Sequence, residues 1–114
     1  MQPDHRRFER DRIIFREYET GDQAFIIVKG QVEILKETSD GPQSLRVLEK
    51  GAMFGEMALI DDQPRMASAK AVNGSVELLV INRESFKKRL EELDPFSRGM
   101  MKILSDKARS NDSL

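Results

Sequence analysis

Between Arg12 and Ile81, apolar residues fall in short runs broken by glycine, proline, aspartate and asparagine. That is the pattern of strands joined by turns, spaced as in an all-β sandwich or barrel. Ile13-Ile14-Phe15 is the first run, ending in a charged turn before Gly21-Asp22. Phe25-Ile26-Ile27-Val28 follows and stops at Lys29-Gly30; Val32, Ile34 and Lys36 then alternate with Glu33, Leu35 and Glu37. Ser39-Asp40-Gly41-Pro42 signals a hairpin, with Asp-Gly supplying the positive-φ positions of a tight turn. Leu45-Arg46-Val47-Leu48 returns along the sheet and halts at Lys50-Gly51. Ser68 to Val72 and Val76 to Ile81 read as the last two strands, joined by a turn at Asn73-Gly74.

At Asn82 the period changes. Phe86, Leu90 and Leu93 recur at i, i+4 and i+7, an amphipathic helix with Asn82 as its N-cap. Asp94-Pro95 breaks the helix and starts another, with Asp94 as cap and Pro95 at the first helical position, where its missing N–H is harmless. Phe96, Met100, Ile103, Leu104 and Ala108 give that second helix one apolar stripe. The tail from Ser110 to Leu114 is small and polar. The pattern thus predicts a mainly β protein, a β-roll over about 11–81 followed by a helical hinge and lid over about 82–109. A length of 114 residues suits one domain, 1–114, with a single modest core.

Charge and rare residues narrow the chemistry. Nineteen Lys and Arg against twenty Asp and Glu leave a net charge of −1, so no global field draws the chain to nucleic acid or anionic membrane. Lys87-Lys88-Arg89 is followed at once by Glu91-Glu92 and reads as the solvated face of a helix. No direct nucleic-acid contact is expected. The absence of cysteine excludes disulfides, thiolate metal sites and cysteine nucleophiles. One histidine, His5, cannot assemble a metal cluster or a triad, so no catalytic residue, no metal and no enzyme activity are expected. The longest apolar run, Ala24 to Val28, is far shorter than a membrane span. The expected location is cytoplasmic, as a free protein or as the cytoplasmic domain of a larger one.

The chemistry concentrates in Phe54-Gly55-Glu56-Met57-Ala58-Leu59-Ile60 and Pro64-Arg65-Met66-Ala67-Ser68. Gly55 lets the backbone approach a ligand, and the N–H groups of Met57 and Ala58 open a brief helix, where anions are favoured. Arg65 adds a full charge and a planar fork suited to phosphate oxygens, held by the stiff Pro64 before it. Glu56 would repel that phosphate unless it accepts a hydrogen bond from a neutral sugar hydroxyl while pairing with Arg65. A ribose 2′-OH beside a cyclic phosphate presents that geometry. Taken singly, a Gly-Glu turn or an isolated arginine is a structural commonplace. Met57, Leu59 and Ile60 read most simply as core anchors for the loop, contributing no contact chemistry beyond their backbone groups. The full register carries the signal.

That register closely resembles the phosphate-binding cassette of the cyclic nucleotide-binding domain family. The family is shared by catabolite-activator-type regulators, regulatory subunits of cAMP-dependent kinase and cyclic nucleotide-gated channels. The resemblance runs from about Ile13 to Leu104. It includes Gly21-Asp22, the Ile26-Ile27-x-x-Gly30-x-Val32 strand and turn, and Gly51-x-x-Phe54-Gly55-Glu56-x-Ala58-Leu59. Pro64-Arg65-x-Ala67-Ser68 and the Phe86 helix complete it. It implies a double-stranded β-helix, a jelly-roll-like β-roll, with Pro3 to Arg10 as a short helical lead-in and two C-terminal helices forming a lid. Glu56 would hold the ribose 2′-OH and Arg65 the cyclic phosphate, with the backbone of Gly55, Ala58 and Ala67 completing the cradle. Leu45 and Val47 would line the pocket near the base. Phe96, Met100, Ile103 and Leu104 would close over the purine. Met66 follows the arginine, where cGMP readers often carry threonine, so cAMP is favoured over cGMP.

The expected function is a regulatory module that takes up cAMP and signals by repositioning its C-terminal helices. The alternative is a degenerate form of the fold that binds nothing and serves as a scaffold or in oligomerisation. The implied partners are the nucleotide and an effector domain or partner protein, with a homo-oligomer as a further alternative. No cofactor is implied. Nothing after Ser110 is long enough for a helix-turn-helix, so DNA reading would belong to another segment.

Overall fold

The computed structural model describes residues 4–112, with side chains through Arg109. Strands β1 (Asp4–Phe8), β2 (Ile13–Phe15), β3 (Gln23–Thr38), β4 (Gly41–Leu48) and β5 (Met53–Phe54) lead to a five-residue helix, α1 (Met57–Asp61). Strand β6 (Ser68–Asn82) and helices α2 (Arg83–Glu91) and α3 (Pro95–Asp112) complete the chain. The strands form one antiparallel sheet in the order β1-β6-β3-β4, with β2 also on β6 and β5 on β3. This mainly β architecture is the expected roll, built around two long strands.

Those two strands differ from the sequence expectation in an instructive way. Asn73-Gly74 is not a turn between strands: β6 runs through it. Val72 pairs with Gln31 and Glu77 with Lys29, so residues 73–76 bulge opposite Gly30. Asn73, Gly74 and Gly30 adopt φ of 62°, 137° and 96°. Both partners kink at the same level, which lets one pair of strands pass from one half of the roll to the other. At the β3–β4 hairpin, Thr38 pairs with Gly41, and positive φ falls on Gly41 (97°) and not on Asp40.

The expected helical lead-in is a strand. Asp4 to Phe8 pairs antiparallel with Val80 to Val76. A helix of about eight residues is marginal alone, whereas β6 offers this segment a complete hydrogen-bonding edge, and Phe8 packs against the core. Pro3 lies outside the described residues.

Alternation along β3 and β6 buries Phe25, Ile27, Val32, Ala69, Ala71, Val76, Leu78 and Val80 together with Phe54. A fully buried side chain such as Ile27 or Leu78 contributes about 1.5–3 kcal/mol relative to exposure. A second cluster, Ala24, Leu59 and Phe86, packs α1 and α2 against the end of the roll. The helix starts follow the sequence. The Asn82 side chain accepts from Ser85 N at 2.8 Å, and Asp94 Oδ2 accepts from Ser97 N at 3.1 Å. The site is positioned by β5: Phe54 pairs with Phe25 and Met53 with Ile26, which sets Gly55 at the rim of the core.

Candidate functional site

A cavity of about 190 Å³ opens beside α1. Of the site residues expected from sequence, Gly55, Glu56, Met57, Ala58, Arg65, Met66 and Ala67 line it. Met57 and Ala58 precede the first bonds of α1, which run from Leu59 N and Ile60 N to Glu56 O at 3.0 Å. Ser68 is engaged elsewhere, its Oγ accepting from Glu17 N at 2.9 Å.

Arg65 is the centre of this arrangement and is only 6% exposed. Its Nη1 donates to Gly55 O at 2.5 Å and its Nη2 to Gln23 O at 2.6 Å. The guanidinium lies 4.0 Å from the Phe15 ring centroid, a cation–π contact. Two glycines make the slot. A Cβ on Gly21 would lie 2.4 Å from the guanidinium carbon, and one on Gly55 would lie 2.8 Å from Nη1. Gly55 also has φ of 80°, which side-chain-bearing residues adopt at a cost. The segment is fixed by its neighbours: Tyr18 N donates to Arg65 O and Arg65 N to Glu19 O, both at 2.8 Å. Burial lowers the guanidinium pKa against the opposing pull of Asp22, Glu19 and Glu56, and an arginine stays charged regardless.

Sequence reasoning treated Arg65 as an anion-binding arm. It is equally a piece of the fold, tying α1's leading loop to β3. For Phe15 beneath it, the sequence pattern indicates a strand residue and nothing more. Phe15, Phe25 and Phe54 form a ring cluster with centroids 5.3–6.1 Å apart, so the cation rests on the edge of the core.

Two expectations about the walls are corrected. Leu45 and Val47 do not line the cavity; they are 39% and 45% exposed, and Arg46 and Leu48 take their place. Ile34 pairs with Arg46 but Leu35 with Ser44, so Leu45 is the extra residue of a bulge. Hydrophobicity suggested one phase of the alternation, and strand pairing imposed the other. The apolar stripe of α3 also faces away from the cavity. Phe96 is 75% exposed, and Met100, Ile103 and Leu104 are exposed as well. The inward face is Ser97, Met101, Ser105 and Ala108, and Ala108 reaches the cavity.

The rotation of α3 has an electrostatic cause. Arg109 forms a two-pronged ion pair with Asp61 at the end of α1, its Nη2 donating to Oδ1 at 2.8 Å and its Nε to Oδ2. Its Nη1 donates to Pro64 O at 3.2 Å. Burial works to raise the Asp61 carboxyl, and the Arg109 hydrogen bonds, with the Gln63 N–H and Lys102, hold it below the usual range. A helix turning 100° per residue that must present Arg109 to α1 also presents Ser105 and Ala108 inward. Asp62 is held in turn by Arg83 and Lys87 from α2. No sequence periodicity pointed to these pairs.

Among the described residues, no cluster of His, Cys, Asp or Glu is arranged to hold a metal ion. No helix there is long and apolar enough to cross a membrane.

Glu56 faces the cavity, where burial pushes its carboxyl above the ordinary 4.5, against its own backbone hydrogen bond and the charges of Arg65 and Arg46. The folded state therefore holds this proton more tightly than the unfolded chain. The resulting stability is fully present below pH 4.5 and is lost as pH rises through the folded value. Glu56→Gln, uncharged throughout, is expected to gain stability relative to the wild type between pH 4.5 and neutrality in urea melts. Parallel curves for the two proteins would show that the carboxylate is fully solvated.

A family model described as the cyclic nucleotide-binding domain matches residues 5–92. Human cGMP-dependent protein kinase 2 is 38% identical over 103 residues, which cover 86% of this chain and 14% of the kinase. The CRP-like cAMP-activated global transcriptional regulator of Mycobacterium tuberculosis is 27% identical over 107 residues, 93% of this chain and 47% of the regulator. Among solved structures, the EAL enzyme Bd1971 in its cAMP-bound form matches with a TM-score of 0.90 and 34% identity, over 96% of this chain and 29% of that one. Its cGMP-bound form matches equally. The chain spans less than half the length of each of these proteins. It belongs to the cyclic nucleotide-binding domain family and is a regulatory ligand-binding domain of that kind.

Proposed function

We propose that this domain binds cAMP in the cavity beside α1 and signals through α3. The observation that carries the reading is the convergence of Arg65, Glu56 and the start of α1 on one cavity, inside a domain of this family. Arg65 supplies the fork for the cyclic phosphate, and Glu56 accepts from the ribose 2′-OH. Desolvated as it is, the Glu56 carboxylate gains from such a donor, and a deoxyribose would leave it unpaired. Met66 has no hydroxyl to offer a guanine, which supports adenine.

A second reading, cGMP, is favoured by Arg46. Guanine presents two acceptors, O6 and N7, to a planar fork, whereas adenine presents an acceptor and a donor. Arg46 lines the cavity and acts electrostatically on Glu56. Calorimetric titration separates the two. The cAMP reading expects tighter binding of cAMP in the wild type. Tighter binding of cGMP, abolished by Arg46→Ala, would replace it with the second. Arg65→Lys keeps the charge but not the fork, and is expected to weaken either nucleotide at least tenfold. It is a better test than Arg65→Ala, which also leaves the Gly55 and Gln23 carbonyls without a donor, at about 1–3 kcal/mol of stability each. A folded wild-type protein that binds neither nucleotide at millimolar concentration would indicate the scaffold alternative.

For signalling, the link is Arg109, which bridges α3 to both Asp61 and the carbonyl next to Arg65. A ligand shifts a conformational equilibrium only through unequal contact with its two states. A phosphate that draws on Arg65 disturbs the Pro64–Arg65 peptide, and with it the anchor of α3. Hydrogen exchange in residues 95–109 is expected to respond to nucleotide in the wild type. In Arg109→Gln the response of residues 55–67 should persist while that of α3 is lost. An α3 that ignores bound nucleotide in the wild type would exclude it as the output.

A further inference from the structure

We infer that Glu17 and Lys36 are positioning residues for this site, holding the Arg65–Ala67 segment in place beside the cavity; the inference rests on the nucleotide-binding reading above. The ladder between β3 and β6 ends at Leu35 and Ser68. Arg65, Met66 and Ala67 line the cavity beyond that point, where the β3 backbone no longer holds them. Side chains continue the ladder. Lys36 Nζ donates to Met66 O at 3.1 Å, two residues before the first paired residue of β6. The same ammonium lies 3.7 Å from Glu17 Oε2. Glu17 Oε1 accepts from Glu37 N at 2.9 Å, and Glu17 N donates to Ser68 Oγ at 2.9 Å. With Tyr18 N on Arg65 O and Arg65 N on Glu19 O, residues 17–19 form a splint along residues 65–68.

The energetics point to a geometric task. The Glu17 side chain is 3% exposed, and its Oε2 has no hydrogen-bond partner. A buried carboxylate is weak evidence for stability, since a well-packed apolar group often stabilises as much. What the charge adds here is direction. It steers the Lys36 ammonium, itself partly exposed, onto the Met66 carbonyl. Neither residue lines the cavity, so neither touches a ligand in it. Their effect on binding passes through Met66 and Arg65.

The test uses Glu17→Ala, Lys36→Met and the double variant, with affinities for cAMP and cGMP measured beside melting temperatures without ligand. Each single variant is expected to weaken binding about tenfold, and the double variant no more than either, because the two act in series; couplings of this size are usual for residues in contact. A lowered melting temperature with unchanged affinity of the folded protein would overturn the inference, as would fully additive losses. If Glu17→Ala fails to fold, Lys36→Met decides alone. A wild-type chain that binds no nucleotide refutes the functional reading instead. The positioning claim is then judged on the amides of Tyr18 and Arg65, which bond Arg65 O and Glu19 O. Their exchange should accelerate about tenfold in Lys36→Met relative to the amides of the β3–β6 ladder, and unchanged protection would refute it.

Discussion

A guanidinium set between two carbonyl oxygens and a phenyl ring organises this domain. Arg65 comes from the loop after α1, yet its partners are Gly55 O before α1, Gln23 O on β3 and the Phe15 ring of β2. A buried charge is costly unless it is hydrogen-bonded and balanced by opposite charge. Asp22, Glu19 and Glu56 supply the balancing charge, while the two carbonyls supply the hydrogen bonds and draw four separate segments to one point. The glycines at 21 and 55 follow from it, because a methyl group at either would collide with the side chain. So does the cavity, whose polar floor is this cation with Glu56 beside it. The charge is desolvated and fixed in direction by these contacts, as the proposed role toward a phosphate requires.

The same economy couples the site to α3. Asp61, Asp62, Pro64 and Arg65 lie within five residues of one another, and between them they are tied to α3, α2 and the roll. Asp61 and Pro64 O hold Arg109 of α3, Asp62 holds Arg83 and Lys87 of α2, and Arg65 holds the roll. This short segment is therefore in contact with both helices at once. The exposed stripe of Phe96, Met100, Ile103 and Leu104 shows that α3 is oriented by these polar contacts and not by burial of its most apolar face.

Local signals carried much of this into the sequence. The capping by Asn82 and Asp94, the strand runs and the Gly55–Ala58 and Pro64–Ala67 register depend on neighbours a few residues apart, and were legible. What escaped depends on pairing between distant segments. Asn73-Gly74 has the chemistry of a turn, and only Gly30 opposite it makes the pair a bulge. Leu45 and Val47 have the hydrophobicity of wall residues, and only the register against Ile34 turns them outward. Asp4–Phe8 is polar and helix-compatible, and becomes a strand because β6 has an edge to offer. Arg109 and Asp61 are 48 residues apart and nothing local marks them as partners.

That Arg65, held by the Gly55 and Gln23 carbonyls, is the group that meets the phosphate is our proposal. It is tested most directly by nuclear magnetic resonance of the ¹⁵N-labelled guanidinium during titration with cAMP. Through-hydrogen-bond coupling between the Arg65 nitrogens and the ligand phosphorus is expected on binding, with a shift of the Arg65 guanidinium resonances. Saturable binding of cAMP that leaves those resonances unmoved and uncoupled to phosphorus would contradict the account.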